Sequence, residues 1–181
     1  MDRFPLSPEV SYTYEDRFNE QHRGTDILAP AGSPILAVEQ GVAWSDIDPK
    51  GGKVVYLIGE SGAHYYYAHL QEWALKLISA TREQPWPVEA GDVIGKVGTT
   101  GNAAGRPPHI HFQMKFVGLV GQTQVNPYPD LVMADPKREH VRPRYVGPGE
   151  RLQSAVTDAV STGISGLGLI ALIWLIARSR K

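Results

Sequence analysis

The chain has 181 residues, a formal net charge of -1 and no cysteine. This length fits one ordinary domain with an appendage, and the near-neutral charge gives no general attraction to nucleic acid, so we expect no nucleic-acid partner. Without cysteine there is neither a disulfide nor a thiolate ligand, so any bound metal must be held by nitrogen and oxygen atoms.

The N-terminal extension, residues 1–20, carries charge and proline and has no apolar run of signal-peptide length. His22 and Asp26 follow it, with Gly24 between them. On an extended strand their side chains would be about 13 Å apart, too far to share an ion with bonds of about 2 Å. Gly24 could let the chain bend and bring them together. The alternative is an ordinary polar loop.

Residues 34–129 alternate short β-prone segments with glycine and proline. This pattern is typical of an all-β or β-rich domain. In chain order, strands are predicted within residues 34–44, 53–60, 64–70, 93–98 and 109–118. A single helix is predicted in this region, from Gln71 to Glu83.

The strand predicted at residues 64–70 contains two histidines. Regular alternation places His69 on the face of Tyr65 and Tyr67, and His64 on the other face, beside Ala68. Because the residues on the strand face of His64 are largely apolar, we predict that only His69 joins a polar cleft. Alternatively, His69 is a strand-end histidine bonded to the backbone.

The next histidine pair lies in the segment HIHFQMKF, residues 109–116. Alternation predicts a core-facing stripe made of Ile110, Phe112, Met114 and Phe116. His109 and His111 then project together from the opposite face, about 6.5 Å apart along the strand. By itself this pattern also fits an exposed strand face that happens to carry two histidines.

Together these segments offer two imidazoles and one carboxylate as ligands, with two further histidines. Such a ligand set leaves a fourth tetrahedral position open for water, as in catalytic zinc sites. Zinc lowers the pKa of its water to about 7, which gives a nucleophile at neutral pH. A neutral histidine can accept the proton, and another can stabilise the developing oxyanion.

The C-terminal region differs from the rest of the chain. Residues 132–158 are predicted to form a basic, proline-rich linker. Residues 159–177 are nineteen positions without a charge, and a helix of that length spans about 28 Å, which predicts a transmembrane helix and a lipid-bilayer partner. A basic tail, residues 178–181, follows. The alternative is a buried amphipathic helix. Basic residues flank both sides, so the orientation in the membrane stays open.

These motifs resemble those of the M23 peptidases, the lysostaphin or LytM type, over residues 21–131. The segment HRGTD at 22–26 resembles the opening HxxxD motif, and YAHL at 67–70 resembles the central histidine motif. The glycine-rich stretch that ends in HIHF at 109–112 resembles the most specific block of the family, and VNPYP at 125–129 resembles the closing motif.

The resemblance implies an antiparallel β-sheet whose groove holds a zinc ion (Zn2+). It implies zinc ligands at His22, Asp26 and His111. It also implies catalytic roles for His69 and His109, with His109 as the general base and His69 as the group that stabilises the transition state.

Three departures from the family pattern bear on substrate preference. Gln113 stands where the family usually has Glu, which weakens any support that this position gives to a metal ligand. Arg106 and two prolines precede the histidine pair, where a shorter approach is usual. The segment Gln71–Pro87 is longer than common and could form an insertion that faces the substrate.

The resulting expectation is a zinc metalloendopeptidase that hydrolyses peptide cross-links of bacterial peptidoglycan, with the scissile bond left open. One alternative is a non-catalytic domain of the same type that binds or activates another wall hydrolase. The presence of all three ligand positions and both catalytic histidines disfavours it. A biotinyl or lipoyl carrier, suggested by residues 88–98, lacks a suitably placed lysine.

A peptidoglycan substrate places the catalytic domain on the wall side of a membrane. Because the sequence offers no secretion signal, we expect either a protein of the virion membrane of a phage, which meets the host wall at entry, or an anchored protein of the bacterial cell envelope.

Overall fold

The computed structural model describes residues 1–118 and 121–138. The chain divides into two units, Met1–Glu139 and His140–Lys181. The predicted transmembrane helix, the basic tail and most of the predicted linker lie outside the described residues. Within the described part of the chain, no helix is both long enough and apolar enough to cross a membrane.

The first unit is built from short strands and one short helix. In chain order, the strands are β1 (Thr13–Tyr14), β2 (Thr25–Leu28), β3 (Pro34–Leu36), β4 (Gly41–Asp48), β5 (Gly52–Gly59), β6 (Ala63–Leu70), β7 (Glu72–Trp73), β8 (Trp86–Val88), β9 (Val93–Lys96), β10 (His109–Gly118) and β11 (Gly121–Val125). The helix α1 spans Tyr128–Ala134.

The strands form two antiparallel sheets. The large sheet has the order β1-β2-β10-β6-β5-β4-β8, and β11 pairs with β10. The small sheet has the order β3-β9-β7. This architecture confirms the predicted β-rich antiparallel fold. The central strands β5, β6 and β10 are paired on both sides, so their backbone groups are satisfied within the sheet.

One face of the large sheet packs on the core. In β10 the core face carries Ile110, Phe112 and Met114, which are 0%, 0% and 6% exposed. This confirms the predicted alternation, but the stripe ends before Phe116, which is 44% exposed. Phe116 lies in the hairpin with β11, whose first three residues are also exposed, so this end of β10 extends beyond the core.

The N-terminal segment, residues 1–20, contributes to the core of the domain. Phe4 and Leu6 are each 1% exposed and belong to the same hydrophobic cluster as Leu131 of α1. Tyr14 on β1 donates a hydrogen bond to the buried carboxylate of Asp135, which follows α1. The helix α1 also continues past residue 131, where the boundary between the peptidase domain and the linker is predicted from the sequence.

The helix predicted from Gln71 to Glu83 is wrong. Trp73 instead pairs with β9 through β7, and its indole nitrogen donates to the carbonyl oxygen of Val54 at 2.9 Å. Only a single 3-10 turn follows, Leu75–Leu77. The apolar spacing of this segment resembles a helix, but tertiary pairing with the small sheet recruits its backbone, and tertiary context often overrides local propensity.

Candidate metal centre and its flanking histidines

Strand register brings one carboxylate beside the histidine pair of β10. His111 pairs with Asp26 of the neighbouring strand β2, and His109 pairs with Leu28. Opposed residues on antiparallel strands project from the same face. The Nδ1 atom of His111 therefore lies 2.7 Å from Oδ1 of Asp26, although the two residues are 85 positions apart.

His22 lies in the loop before β2. The side-chain oxygen of Asn19 accepts hydrogen bonds from the backbone N–H groups of Gln21 and His22, each at 2.9 Å, which turns the chain at this point. As a result Nε2 of His22 lies 3.1 Å from Oδ1 of Asp26. The bend overcomes the separation that an extended strand would impose.

Gly24 allows this close approach because it lacks a side chain. A Cβ atom at this position would lie 2.6 Å from the backbone oxygen of Phe112 and 2.9 Å from the ring of His111. Its φ angle lies outside the left-handed region, so the requirement is for space and not for an unusual backbone conformation.

The side chains of His22, Asp26 and His111 form a compact group. One ligand atom from each lies within 4.8 Å of the others. Both ring nitrogens of His22 are buried and have no hydrogen-bond partner among the described residues, although Nε2 is within ion-pair distance of Asp26. A buried polar atom without a partner is rare and can mark an ion site. Two imidazoles and one carboxylate match the donor set of a catalytic zinc site, so these residues fit zinc.

The carboxylate of Asp26 is held in its charged form. Burial alone would raise its pKa, but the hydrogen bond from His111 and the charges of His111 and His22 outweigh burial, so that the pKa of Asp26 lies well below its ordinary value. An ionised carboxylate is the form that binds a metal. Asp26 is therefore ready to act as a ligand at neutral pH.

Gln113 supports His111 from the side opposite to Asp26. Its side-chain amide lies 2.8 Å from Nε2 of His111. If Nδ1 of His111 is a metal ligand, Nε2 carries the hydrogen and needs an acceptor. The amide oxygen of Gln113 is that acceptor once the amide is turned over, and the two amide orientations are nearly equivalent in shape.

His69 reaches the site through a backbone irregularity. Ala68 pairs with His111 and so faces the groove, whereas Tyr67 is fully buried. Regular alternation would point His69 into the core with Tyr67, so the parity predicted for this strand is wrong. His69 has a φ of 67° and is the only non-glycine residue with positive φ in the described part of the chain. That left-handed turn places its ring 4.9 Å from the ring of His109.

His64 also lines the groove. It lies four positions before Ala68, on the face that carries His111. The prediction that only one of His64 and His69 joins the cleft is therefore wrong. The error arises because strand parity was extended through a residue that does not adopt β geometry.

His69 and His109 have the same hydrogen-bonding arrangement. Nδ1 of His69 lies 2.9 Å from the carbonyl oxygen of Thr100, and Nδ1 of His109 lies 2.8 Å from that of Pro107. A carbonyl only accepts, so each Nδ1 carries the hydrogen. In the neutral rings Nε2 then has a free lone pair and accepts a proton. Burial lowers the pKa of His69, and the hydrogen bond to Thr100 raises it. Burial has the larger effect, so the pKa of His69 lies below its ordinary value.

All five predicted site residues line one groove of about 1410 Å³. Its floor includes an aromatic row on three neighbouring strands, Trp44, Tyr56 and Tyr66, whose successive rings are 5.2 Å apart. Residues 20–23 border the groove near β2. Near β8 it is bordered by Thr81, Arg82, Glu83 and Pro85, which belong to the predicted insertion.

Sequence reasoning missed two residues that position the site. Asn19 forms the turn before His22, and a short polar residue three positions ahead of a histidine is a signal that could have been used. The carbonyl of Thr100 holds His69 across 31 positions. Its hydroxyl donates to the carbonyl oxygen of Leu70 at 2.8 Å and accepts from the N–H of Lys53 at 2.9 Å. No local sequence pattern predicts these contacts.

Several known proteins are similar to this chain in sequence. An L-Ala–D-Glu endopeptidase of Bacillus subtilis is 30% identical over 71% of this chain and 42% of its own length. The DD-carboxypeptidase/endopeptidase Mpg of Neisseria meningitidis is 35% identical over 63% of this chain and 25% of its own length. The chain thus spans less than half the length of either relative.

Among solved structures, a LytM from Ruminococcus gnavus matches with a TM-score of 0.63 and 29% identity, over 76% of this chain and 61% of that one. The sequence profile of peptidase family M23 matches residues 20–127, which include every residue of the candidate centre. This protein therefore belongs to peptidase family M23.

Proposed function

We propose that this protein is a zinc metalloendopeptidase that hydrolyses peptide cross-links of bacterial peptidoglycan. The observation that carries the proposal is the convergence of His22, Asp26 and His111 beside two histidines with free Nε2 atoms. Family membership supports a peptidase, and the relatives from Bacillus subtilis and Neisseria meningitidis are named as endopeptidases.

The proposed ligands are Nε2 of His22, the carboxylate of Asp26 and Nδ1 of His111. A bound zinc ion supplies Lewis acidity toward a carbonyl oxygen and a water nucleophile at neutral pH. The ionised Asp26 provides the negative charge of the ligand set, and Gln113 fixes the orientation of His111.

His109 is the proposed general base. Its Nε2 atom lies 4.0 Å from Oδ1 of Asp26, so it borders the ligand group, and its Nδ1 hydrogen is engaged by Pro107. The ring therefore offers only a proton-accepting nitrogen to the reacting water.

His69 is the group proposed to stabilise the transition state. Because its Nδ1 hydrogen is engaged by Thr100, its Nε2 donates only after the ring has taken up a proton. Solvent supplies that second proton, the imidazolium then donates an Nε2–H hydrogen bond to the developing oxyanion, and because burial lowers the pKa of His69 the ring readily gives the proton up again. The left-handed backbone at His69 costs about 1–2 kcal/mol, and such strain is often found at functional sites.

Two substitutions test the proposal. His111→Ala should abolish zinc binding at ordinary zinc concentrations. Loss of a residue that merely hydrogen-bonds to a ligand lowers metal affinity by roughly 10–100-fold, and loss of a ligand itself lowers it further. His109→Ala should keep zinc and lose about 10²–10⁴-fold in peptidoglycan hydrolysis. His140→Ala, outside the family match, is the control and should change neither. The proposal fails if the purified wild-type protein holds no zinc, or if His109→Ala cleaves purified peptidoglycan at the wild-type rate.

We also propose that residues 159–177 anchor the protein in a membrane, with the catalytic domain facing the wall. The support is nineteen uncharged positions between Asp158 and Arg178. The membrane is that of a phage particle or of the bacterial envelope. Fractionation of infected and uninfected cells and of purified particles separates these locations. Recovery of the full-length protein only in the soluble fraction would refute the anchor.

A further inference from the structure

One end of the groove carries a group of basic side chains away from the candidate ligands. Lys115 on β10 pairs with His64 on β6, so both project from the face that also carries His111. Arg82, in the segment before β8, lines the same groove. We call His64, Lys115 and Arg82 the basic corner.

Within the part of the chain that the structure describes, the two permanent cations of the basic corner have no acidic partner. Nζ of Lys115 donates to the neutral side-chain oxygen of Gln122 at 3.0 Å. Among residues 1–118 and 121–138, no carboxylate lies within 4.0 Å of the charged groups of Lys115 or Arg82. Glu83 borders the groove next to Arg82 without forming an ion pair with it. By contrast, Lys96 lies 2.6 Å from a carboxylate oxygen of Glu72.

Charge is distributed unevenly along the groove. Burial, followed by the charges of Lys115 and Arg82, lowers the pKa of His64. Burial, followed by the charges of Asp48 and Asp46, raises the pKa of Tyr56 farther along the groove. Strand register separates the basic corner from the acidic residues of β4, because His64 pairs with Ile58, and Ile58 pairs with Val42, which lies four positions before Asp46.

The position of the basic corner defines which part of a substrate it can meet. Lys115 is four positions beyond His111 on one strand, a separation of about 13 Å at roughly 3.3 Å per residue. An extended peptide advances by about 3.3–3.6 Å per residue. A peptide held with its scissile bond at the candidate centre therefore presents to the corner a group about four residues away.

We propose that the basic corner is a substrate subsite that binds a free carboxylate of the peptidoglycan stem, about four residues from the scissile bond. The enzyme then prefers stem peptides with free carboxylates to neutral peptides, such as stems whose carboxyl groups are amidated or bridges made of glycine. This inference rests on the proposed peptidase function. Lys115 and Arg82 supply the charge, and the neutral His64 supplies a hydrogen bond.

The test compares two cross-linked stem peptides that differ only in whether their side carboxyl groups are free acids or carboxamides. The full-length, zinc-loaded protein should cleave the acid form with a kcat/KM about 5- to 30-fold higher at low salt, mainly through a lower KM. The preference should shrink in 1 M salt, where the Debye length is about 3 Å.

Variants assign the preference to the basic corner. Lys115→Gln and Arg82→Gln should each reduce the ratio of the two kcat/KM values, and the double variant should bring it close to one. Lys115→Arg should retain the preference because it keeps the charge. Lys53→Gln is the matched control, since Nζ of Lys53 donates to the carbonyl oxygen of Gln71 and does not line the groove. It should leave the ratio unchanged.

Two results would refute the proposed subsite. One is equal cleavage of both peptides by the wild type at low salt, and the other is a preference for the acid peptide that persists in the folded double variant. Thermal unfolding of the double variant verifies that it is folded. Failure of the wild type to cleave either peptide or whole peptidoglycan would instead refute the proposed function, so the two failures are distinguishable.

Discussion

Replacement of Gly24 by alanine adds one methyl group at the closest contact of the candidate centre. The new Cβ atom would lie 2.6 Å from the backbone oxygen of Phe112 and 2.9 Å from Cε1 and Nε2 of His111, whereas ordinary contacts of this kind are 3.4–4 Å. The chain must therefore open by about 0.8 Å toward Phe112 (3.4 minus 2.6) or 0.5 Å toward His111 (3.4 minus 2.9).

These displacements are large for a metal site, where ligand distances hold to within about 0.2 Å. We expect Gly24→Ala to lower the zinc affinity by about 10–100-fold, which is the range for mutations of residues that orient a metal ligand. This corresponds to about 1.4–2.7 kcal/mol. Overpacking should also lower the free energy of unfolding of the metal-free protein by about 1–3 kcal/mol.

Zinc affinity is measured by competition with a chelator of known affinity, and stability by denaturant unfolding of the metal-free protein. Gly62→Ala is the matched control, because its new Cβ has no neighbour within 4 Å while its φ of +81° is unfavourable for alanine. It should lose about 1–2 kcal/mol of stability and keep its zinc affinity. Wild-type zinc affinity in Gly24→Ala would refute the reasoning that this glycine keeps His111 in place.

Three further outcomes follow from the site and the core. Gln113→Leu should weaken zinc binding by about 10–100-fold, because Nε2–H of His111 loses its acceptor, and Gln113→Glu should retain it; equal affinity in Gln113→Leu would contradict this role. His69→Gly should lose most hydrolysis yet match or exceed the stability of His69→Ala, since glycine tolerates the left-handed φ; a less stable glycine variant, measured by thermal unfolding, would contradict the strain at this position. Asp135→Asn should destabilise the protein by about 1–3 kcal/mol at pH 7, measured by urea unfolding, because the side chain is 2% exposed and accepts hydrogen bonds from Tyr12 and Tyr14.

The effect at Asp135 should depend on pH in a defined direction. Burial acts to raise its pKa, but the hydrogen bonds of Tyr12 and Tyr14 and the charge of Arg138 contribute to lowering it below its ordinary value. A carboxyl group whose pKa is depressed by folding stabilises the protein above its unfolded pKa of about 3.9. That contribution disappears as the pH falls through the folded pKa. The stability difference between the wild type and Asp135→Asn should therefore shrink below about pH 4, and a constant difference from pH 7 to pH 3 would contradict the assignment.

The sequence by itself determined the β-rich class and much of the core. In β10, Ile110, Phe112 and Met114 are buried as alternation predicts, because successive side chains of a strand point to opposite faces. The same rule placed His109 and His111 together on the opposite face. The family resemblance gathered His22, Asp26 and His69 into one candidate site before any distance was known.

The tertiary structure decided how those residues meet. The contact of Asp26 with His111 depends on the register of β2 against β10, which links positions far apart in the chain. The approach of His22 depends on the turn at Asn19 and on the space beside Gly24. Neither register nor space is encoded in a local pattern, because both arise from pairing between distant strands.

His69 gives the clearest division between the two sources of information. Strand parity assumes regular β geometry and would direct its side chain into the core beside Tyr67. The left-handed φ of 67° and the carbonyl of Thr100 turn the ring toward His109 instead. Such a conformation is costly for a non-glycine residue, so it persists only where surrounding contacts hold it, and those contacts exist only in the folded protein.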